Sequence, residues 1–294
     1  DPRRHEVLMA FKRLTNQLPA GRRVLISGAP NTLKTTAILT WPKPLHIVSY
    51  PGEKGYETIP TGVEGVHPYV WEIEDITTVS PAAVVREVET LTTEILSGKY
   101  GEVKTFAGDG LHKLYGWFYQ ATLNDLIAQA GQRSNWDGDE EKLRGPAYGL
   151  THAGPDGGSF GKYITKTLQT PTPYIVMTLW EGATKDNPDD TSRKAASHIF
   201  PDLPGMAAKR IVGEFGAVVY STVSLPDPHG RVNGSWQLRP EGKVWGVGAK
   251  VPPEIGRTLP VRVPQDFTVL EELLSGVPLD QVKVHYAARR EVAK

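Results

Sequence analysis

A chain of 294 residues with 33 basic against 33 acidic side chains is long enough to bury one large core, and its balanced charge leaves no global field to draw it to nucleic acid or a membrane. It has no cysteine, which excludes disulfides, thiolate metal sites and cysteine nucleophiles together and fits a reducing compartment. No apolar run reaches the roughly 20 residues that cross a bilayer, and the first ten residues, DPRRHEVLMA, carry neither a signal-peptide core nor an initiator Met, so the expectation is a processed, cytoplasmic chain with no membrane partner.

Val7, Phe11, Leu14 and Leu18 recur at helical spacing and predict an N-terminal helix over residues 4–18, ended by Pro19. Next comes VLISGAPNTLKTTAI, Val24 to Ile38. Four residues suited to a buried strand run into a loop opened by Gly28 and Pro30, and Lys34, Thr35 and Thr36 lead into an apolar helix. Strand, glycine turn and Lys-Thr at a helix mouth is the layout of a phosphate-binding P-loop, with Gly28, Ala29, Pro30, Asn31, Thr32, Leu33, Lys34, Thr35 and Thr36 as its residues. Loop amides and the positive helix end wrap phosphates, Lys34 neutralises the β and γ oxygens, and the Thr35 hydroxyl ligates magnesium. One position departs from the pattern: Leu33 stands where GxxxxGK[ST] has glycine, and the bend there costs a residue with a Cβ about 1 kcal/mol or more.

LHIVSY, Leu45 to Tyr50, predicts a second buried strand, followed by the turn-rich PGEKGYETIP. A third, short strand is expected over Tyr69–Ile73, then a helix from Pro81 to Gly98 with Val84, Val88, Leu91 and Ile95 on one face. VKTFAGD ends in Asp109 and opens a long helix, Leu111–Ala130. Residues 131–160 show no sustained period and read as a long loop; residues 160–168 read as a helix. PYIVMTLW, Pro173–Trp180, reads as a strand ending at Glu181, and residues 182–197 as a second loop. A short helix near 206–211, a strand AVVYSTV, a hairpin of Trp236–Arg239 with Val244–Val247, and an apolar then basic C-terminal stretch complete the chain. Strands alternating with helices argue a mostly parallel sheet covered on both faces. The expected division is 1–19 as an N-terminal helix, 20–264 as the nucleotide-binding domain and 265–294 as a helical tail.

Asp109 lies where a P-loop's acidic partner would sit, able to hold magnesium or simply to cap the following helix. Glu53, flanked by Gly52 and Gly55, and Glu181 are candidates for orienting water; either can also be a solvated loop acid. Lys142, Arg144, Trp136, Tyr148 and His152 combine cations with stackable rings, the ingredients for gripping single strands, in a segment that reads equally as a solvated loop. Lys209 with Arg210 and Arg289 with Arg290 are small basic patches. No HExxH or GxSxG motif occurs, and His112 reads as structural.

The succession GAPNTLKTT, IVSYPGEKG, TFAGDGLHKLY, PYIVMTLWE, FPDLPGMAAKRIVGEFGAVVYSTV and GAKVPPEIGRTLPVRVPQDFTVLEELL resembles the RecA-like P-loop ATPases encoded by bacteriophages, whose AAA-type domain is related to phage single-strand annealing recombinases. The resemblance spans roughly residues 20–275. It implies an α/β, RecA-like P-loop NTPase fold with a mostly parallel twisted sheet, helices on both faces and a hairpin-containing C-terminal part. It implies ATP and Mg2+ as ligands, Lys34 and Thr35 in the P-loop roles, Asp109 as the Walker B acid, Glu53 as the water-activating glutamate and Glu181 at the sensor position. Lys250 and Arg257 resemble basic residues that reach a neighbouring subunit's nucleotide. Single-stranded DNA and further copies of the chain, in a ring or filament, are the implied partners, with recombination or replication as the setting. Leu33, and Ala107 and Gly108 ahead of Asp109 in place of large aliphatics, depart from the family pattern. A nucleotide-binding switch that does not hydrolyse and a small-molecule or nucleotide kinase stand as alternatives.

Overall fold

The computed structural model describes residues 22–71, 78–132, 136–152, 158–184, 198–203, 205–226, 232–242, 244 and 247–292. In chain order its elements are β1 (Arg23–Gly28), α1 (Lys34–Ile38), β2 (Leu45–Ser49), β3 (Val66–Val70), α2 (Pro81–Leu96), β4 (Thr105–Asp109), α3 (Leu111–Gly131), α4 (Glu141–His152), α5 (Gly158–Leu168), β5 (Tyr174–Thr184), β6 (His198–Pro201), α6 (Gly205–Glu214), β7 (Ala217–Val223), β8 (Gly234–Gln237), β9 (Gly248–Ala249), α7 (Pro253–Thr258), β10 (Arg262–Pro264), α8 (Phe267–Leu274) and α9 (Leu279–Val292).

The strands form one sheet in the order β10-β8-β7-β1-β5-β4-β2-β3, with β6 added to β5 and β9 to β7. From β7 to β3 every neighbouring pair is parallel; β6, β8, β9 and β10 pair antiparallel. One strand, β5, therefore separates the P-loop strand β1 from β4, which ends in Asp109.

Period-2 alternation along buried strands distributes side chains to two cores. Leu25, Val48, Phe106, Ile175 and Met177 face α2, α3, α5 and α6. Val24, Ile26, Ile47, Ala107 and Val176 face α1, α8 and Val282 of α9. Trp41 joins that second core through Trp236, at 5.5 Å edge-on, and Phe267, at 4.8 Å. At the foot of β1, the buried Arg23 donates Nε to Leu168 O at 2.8 Å and a terminal nitrogen to Thr170 O at 2.8 Å, satisfying carbonyls at the end of α5. Toward the end of the described residues, α8, capped by Asp266 Oδ1 accepting from Thr268 N at 2.8 Å, buries Phe267, Val269, Leu270, Leu273 and Leu274 against the sheet.

Four expectations need correction. Residues 131–160 contain α4 and the start of α5; the breakers Gly145, Pro146 and Gly149 hide the helical period, and packing of Ala147, Thr151 and His152 against α3 overrides propensity. The strand at 173–180 continues to Thr184 and folds back on β6. The third strand lies at Val66–Val70, and residues 72–77 lie outside the description. β8, which carries Trp236, lies between β7 and β10, because the fully buried indole of Trp236 must sit over the core beside Trp41; Glu241 bridges Val244, and residues 243, 245 and 246 of the expected hairpin lie outside the description. The expected N-terminal helix and residues 185–197 fall outside the described residues, as do the side chains of Lys209, Arg289 and Arg290.

Candidate nucleotide site

The C-terminal ends of β1, β4 and β5 and the turn after β2 surround a cavity of about 520 Å³ lined by Pro30–Thr36, Gly52–Gly55, Glu57, Thr58, Asp109, Lys113, Thr178 and Trp180. Ligands of open parallel sheets bind at this edge. The cavity size falls within the range of about 300–1,000 Å³ usual for small-molecule sites.

Strand, turn and helix follow one another here as the sequence predicts. Leu33 precedes α1 with φ 59° and ψ 24°, and Asn31 also has φ 63°. The left-handed turn expected of a glycine is thus made by leucine, whose side chain remains about one-third exposed. Lys34 is buried, and its Nζ donates to Gly28 O at 2.9 Å and Ala29 O at 2.6 Å, so its ammonium lies inside the loop it belongs to. Burial lowers its pKa, opposed by the charges of Asp109, Glu53 and Glu181. From behind, Ser221 Oγ donates to Thr32 O at 2.7 Å, and Gln265 Nε2 reaches Thr32 O at 3.1 Å and Ser221 Oγ at 2.6 Å.

Asp109 is 2% exposed. Register fixes its neighbours: Gly108 lies opposite Met177, which sets Asp109 beside Thr178. Thr35 Oγ1 donates to Asp109 Oδ2 at 2.7 Å, and Thr178 Oγ1 donates to Oδ1. Burial raises the carboxyl's pKa, against the opposing pull of the two hydroxyls and Lys34. Gly108, the departure from large aliphatics, has a steric cause: a Cβ there would stand 2.4 Å from the Tyr50 hydroxyl, itself paired with Tyr163 at 2.9 Å. Gly55 has the same kind of cause on the cavity side, where a Cβ would fall 2.3 Å from Thr35 Oγ1 and 2.4 Å from Asp109 Oδ2.

These oxygens fit a magnesium ion. Among the described residues no group of three or more His, Cys, Asp or Glu side chains could hold a metal. Magnesium keeps several waters and binds through one or two carboxylates plus substrate phosphates. A lone buried carboxylate touching a P-loop hydroxyl, in a space only glycine leaves open, matches that donor set.

Glu53 lines the same cavity, and its Oε1 accepts from Lys54 N at 3.1 Å and Gly55 N at 3.2 Å. Burial and then the Asp109 charge raise its pKa, the direction that suits a group taking a proton. His112, read as structural, stands 3.8 Å from Glu53 Oε2 through Nε2, stacks on Trp180 with centroids 4.4 Å apart, and is pushed down to about 4 by burial.

Other candidates lie elsewhere. Glu181 does not line the cavity; its carboxylate accepts from the Tyr220 hydroxyl. Thr178, three residues earlier on β5, makes the contact to Asp109 instead. The sequence signal for it was available in alternation: Thr178 shares a face with Val176, the face turned toward α1. Lys250 N bonds Gly216 O, and Gly216 N bonds Arg23 O, so Lys250 sits at the foot of β1. The six-residue strand sets it roughly 17–20 Å from the P-loop edge of its own chain. Its Nζ donates to Gly213 O. Arg257 is exposed in the last turn of α7. In α4 and the turn before it, Lys142 pairs with Asp137 and Asp139, Arg144 with Glu141 at 3.0 Å, and Tyr148 packs edge-on against the buried His152 at 3.7 Å. Of the residues expected to grip single strands, Lys142, Arg144, Tyr148 and His152 thus make these contacts within residues 137–152.

No protein-family model matches this chain, and no curated protein matches it. Among solved structures it is similar to the flagellar accessory protein FlaH from Methanocaldococcus jannaschii, with 10% identity, 82% of this chain and 94% of that chain covered, and a TM-score of 0.33. No helix among the described residues is long and apolar enough to cross a membrane. The chain has an α/β fold with a mostly parallel, helix-covered sheet and a cavity at the mouth of α1.

Proposed function

We propose that the chain binds ATP with magnesium and hydrolyses it as a RecA-like P-loop ATPase. The observation that carries this is the convergence of Lys34 and Thr35, Glu53 and Asp109 on one cavity, from three separate segments of the sequence. Loop amides and the mouth of α1 receive the phosphates. Thr35 and Asp109 would hold magnesium, which when bound offsets charge on the phosphate oxygens. Thr178 and Thr35 fix the Asp109 carboxylate, and Glu53 orients a water and takes its proton. As the water oxygen bonds to the γ-phosphorus, the bond from that phosphorus to the bridging oxygen breaks, and the bridging oxygen leaves with ADP and the bonding electron pair.

Single-stranded DNA and further copies of the chain belong to this proposal as regulators of turnover, in a cytoplasmic recombination or replication role, with Lys250 and Arg257 serving a neighbour's nucleotide. The experiment is phosphate release with and without single-stranded DNA, beside nucleotide binding and solution mass, with Lys34→Ala as control. Release abolished by Lys34→Ala supports the ATPase. Binding without release points to the switch, a reading favoured by Leu33 in the left-handed turn. Absence of nucleotide binding overturns both.

A further inference from the structure

Lys113 stands in the first turn of α3, a 21-residue helix with no acidic residue in that turn. A cation there opposes the helix dipole, which favours negative charge at this end. A local rule broken at a cavity is a functional signal when the side chain has somewhere to act, and Lys113 lines the cavity with Lys34, Thr35, Glu53 and Asp109. Its stem passes Gly52, where a Cβ would meet Lys113 Cδ at 3.9 Å. Its Nζ lies 4.8 Å from the centre of the Trp180 ring. Among the described residues the ammonium forms no ion pair with a carboxylate, while the neighbouring charge of Glu53 feels it.

Trp180 orients the cation through its ring face. The same indole stacks with His112, which also approaches Glu53. Lys54 lines the same cavity but is exposed on the turn after β2, whereas Lys113 is carried on a helix that begins two residues after Asp109. Position on a rigid element suits a group that must meet charge as it develops.

We propose that Lys113 supplies, from within the same subunit, a second positive charge to the γ-phosphate, aligned by the face of Trp180. Lys34 serves the β/γ oxygens from inside the loop, and Lys113 approaches from the side of Glu53 and Trp180. The inference rests on the ATP-binding reading above. It makes Trp180 a positioning residue and predicts that Lys113 distinguishes triphosphate from diphosphate.

The test uses Lys113→Met, which keeps an apolar stem of similar length and removes the charge, and Lys113→Arg, which restores it. Equilibrium binding of ADP and of a non-hydrolysable ATP analogue is measured with magnesium, and turnover is measured in parallel. Lys113→Met is expected to lower kcat about 10- to 100-fold and analogue affinity about tenfold while leaving ADP affinity within about twofold; Lys113→Arg should recover most of both. Trp180→Phe removes the indole that reports the γ-phosphate and should abolish the difference in tryptophan emission between the two complexes. If Lys34→Ala loses nucleotide while Lys113→Met keeps the wild-type analogue-to-ADP ratio, this inference fails and the ATP-binding reading survives. If the wild-type chain binds neither nucleotide, both fail. Equal losses for ADP and analogue would mean a structural lysine and would also overturn the proposal.

Discussion

Replacing Leu33 by glycine and, in parallel, by alanine isolates the backbone cost of the P-loop turn. Leu33 has φ 59° and ψ 24°, a region that costs a residue with a Cβ about 1–2 kcal/mol. Both variants delete the same partly exposed side chain, so the packing loss cancels between them, and only the Cβ remains as the difference. Glycine carries its own entropic disadvantage against alanine, about 0.5–1 kcal/mol. The balance leaves Leu33→Gly more stable than Leu33→Ala by about 0.5–1 kcal/mol. At an ordinary helical position the order is reversed, so the sign is the diagnostic. The assay is urea unfolding of both variants without nucleotide, comparing midpoints at constant slope. An alanine variant as stable as the glycine variant, or more so, would refute the claim that this turn is strained by its leucine.

Asp109→Asn should abolish the dependence of ADP affinity on magnesium, a loss of about tenfold or more, by calorimetric titration with and without the ion. His112 is held down to about 4 from 6.5 by burial, so the unfolded chain takes up its proton first as pH falls. Stability should therefore drop between about pH 6.5 and 4, by at most about 1.4 kcal/mol per pH unit for this one proton, and His112→Phe should flatten that slope in urea titrations. Asp109 and Glu53 act with the opposite sign: burial raises both, so their contribution is lost as pH rises through their folded values, and the wild-type-minus-variant difference is what isolates His112. Gln265→Ala removes the amide that braces Thr32 O and Ser221 Oγ. It should cost about 1–2 kcal/mol of stability and weaken ADP binding severalfold, measured by denaturation and titration.

The P-loop, the buried strands at 24–28, 45–49 and 105–109 and the acid at the end of the last were legible because each is local: a few apolar residues, a glycine turn, a Lys-Thr pair at a helix mouth. The same locality explains the misses. Helix α4 is interrupted by Gly145, Pro146 and Gly149, and only its packing against α3 makes it a helix; Trp236 looked like half of a nearby hairpin until burial beside Trp41 set its strand between two distant partners. At the site, the chain's residue types announced a cation, a hydroxyl and carboxylates. Which carboxylate faces the cavity is a matter of register and strand order. These turned Glu53 inward, left Glu181 with Tyr220, and brought Thr178, Lys113 and Trp180 to the cavity without any motif marking them. Sequence fixes chemistry over a few residues because backbone propensity and side-chain period act at that range. Convergence of segments separated by 74 and 69 residues, as at the Asp109 contacts with Thr35 and Thr178, is decided by how the strands stack, and only the folded sheet contains that information.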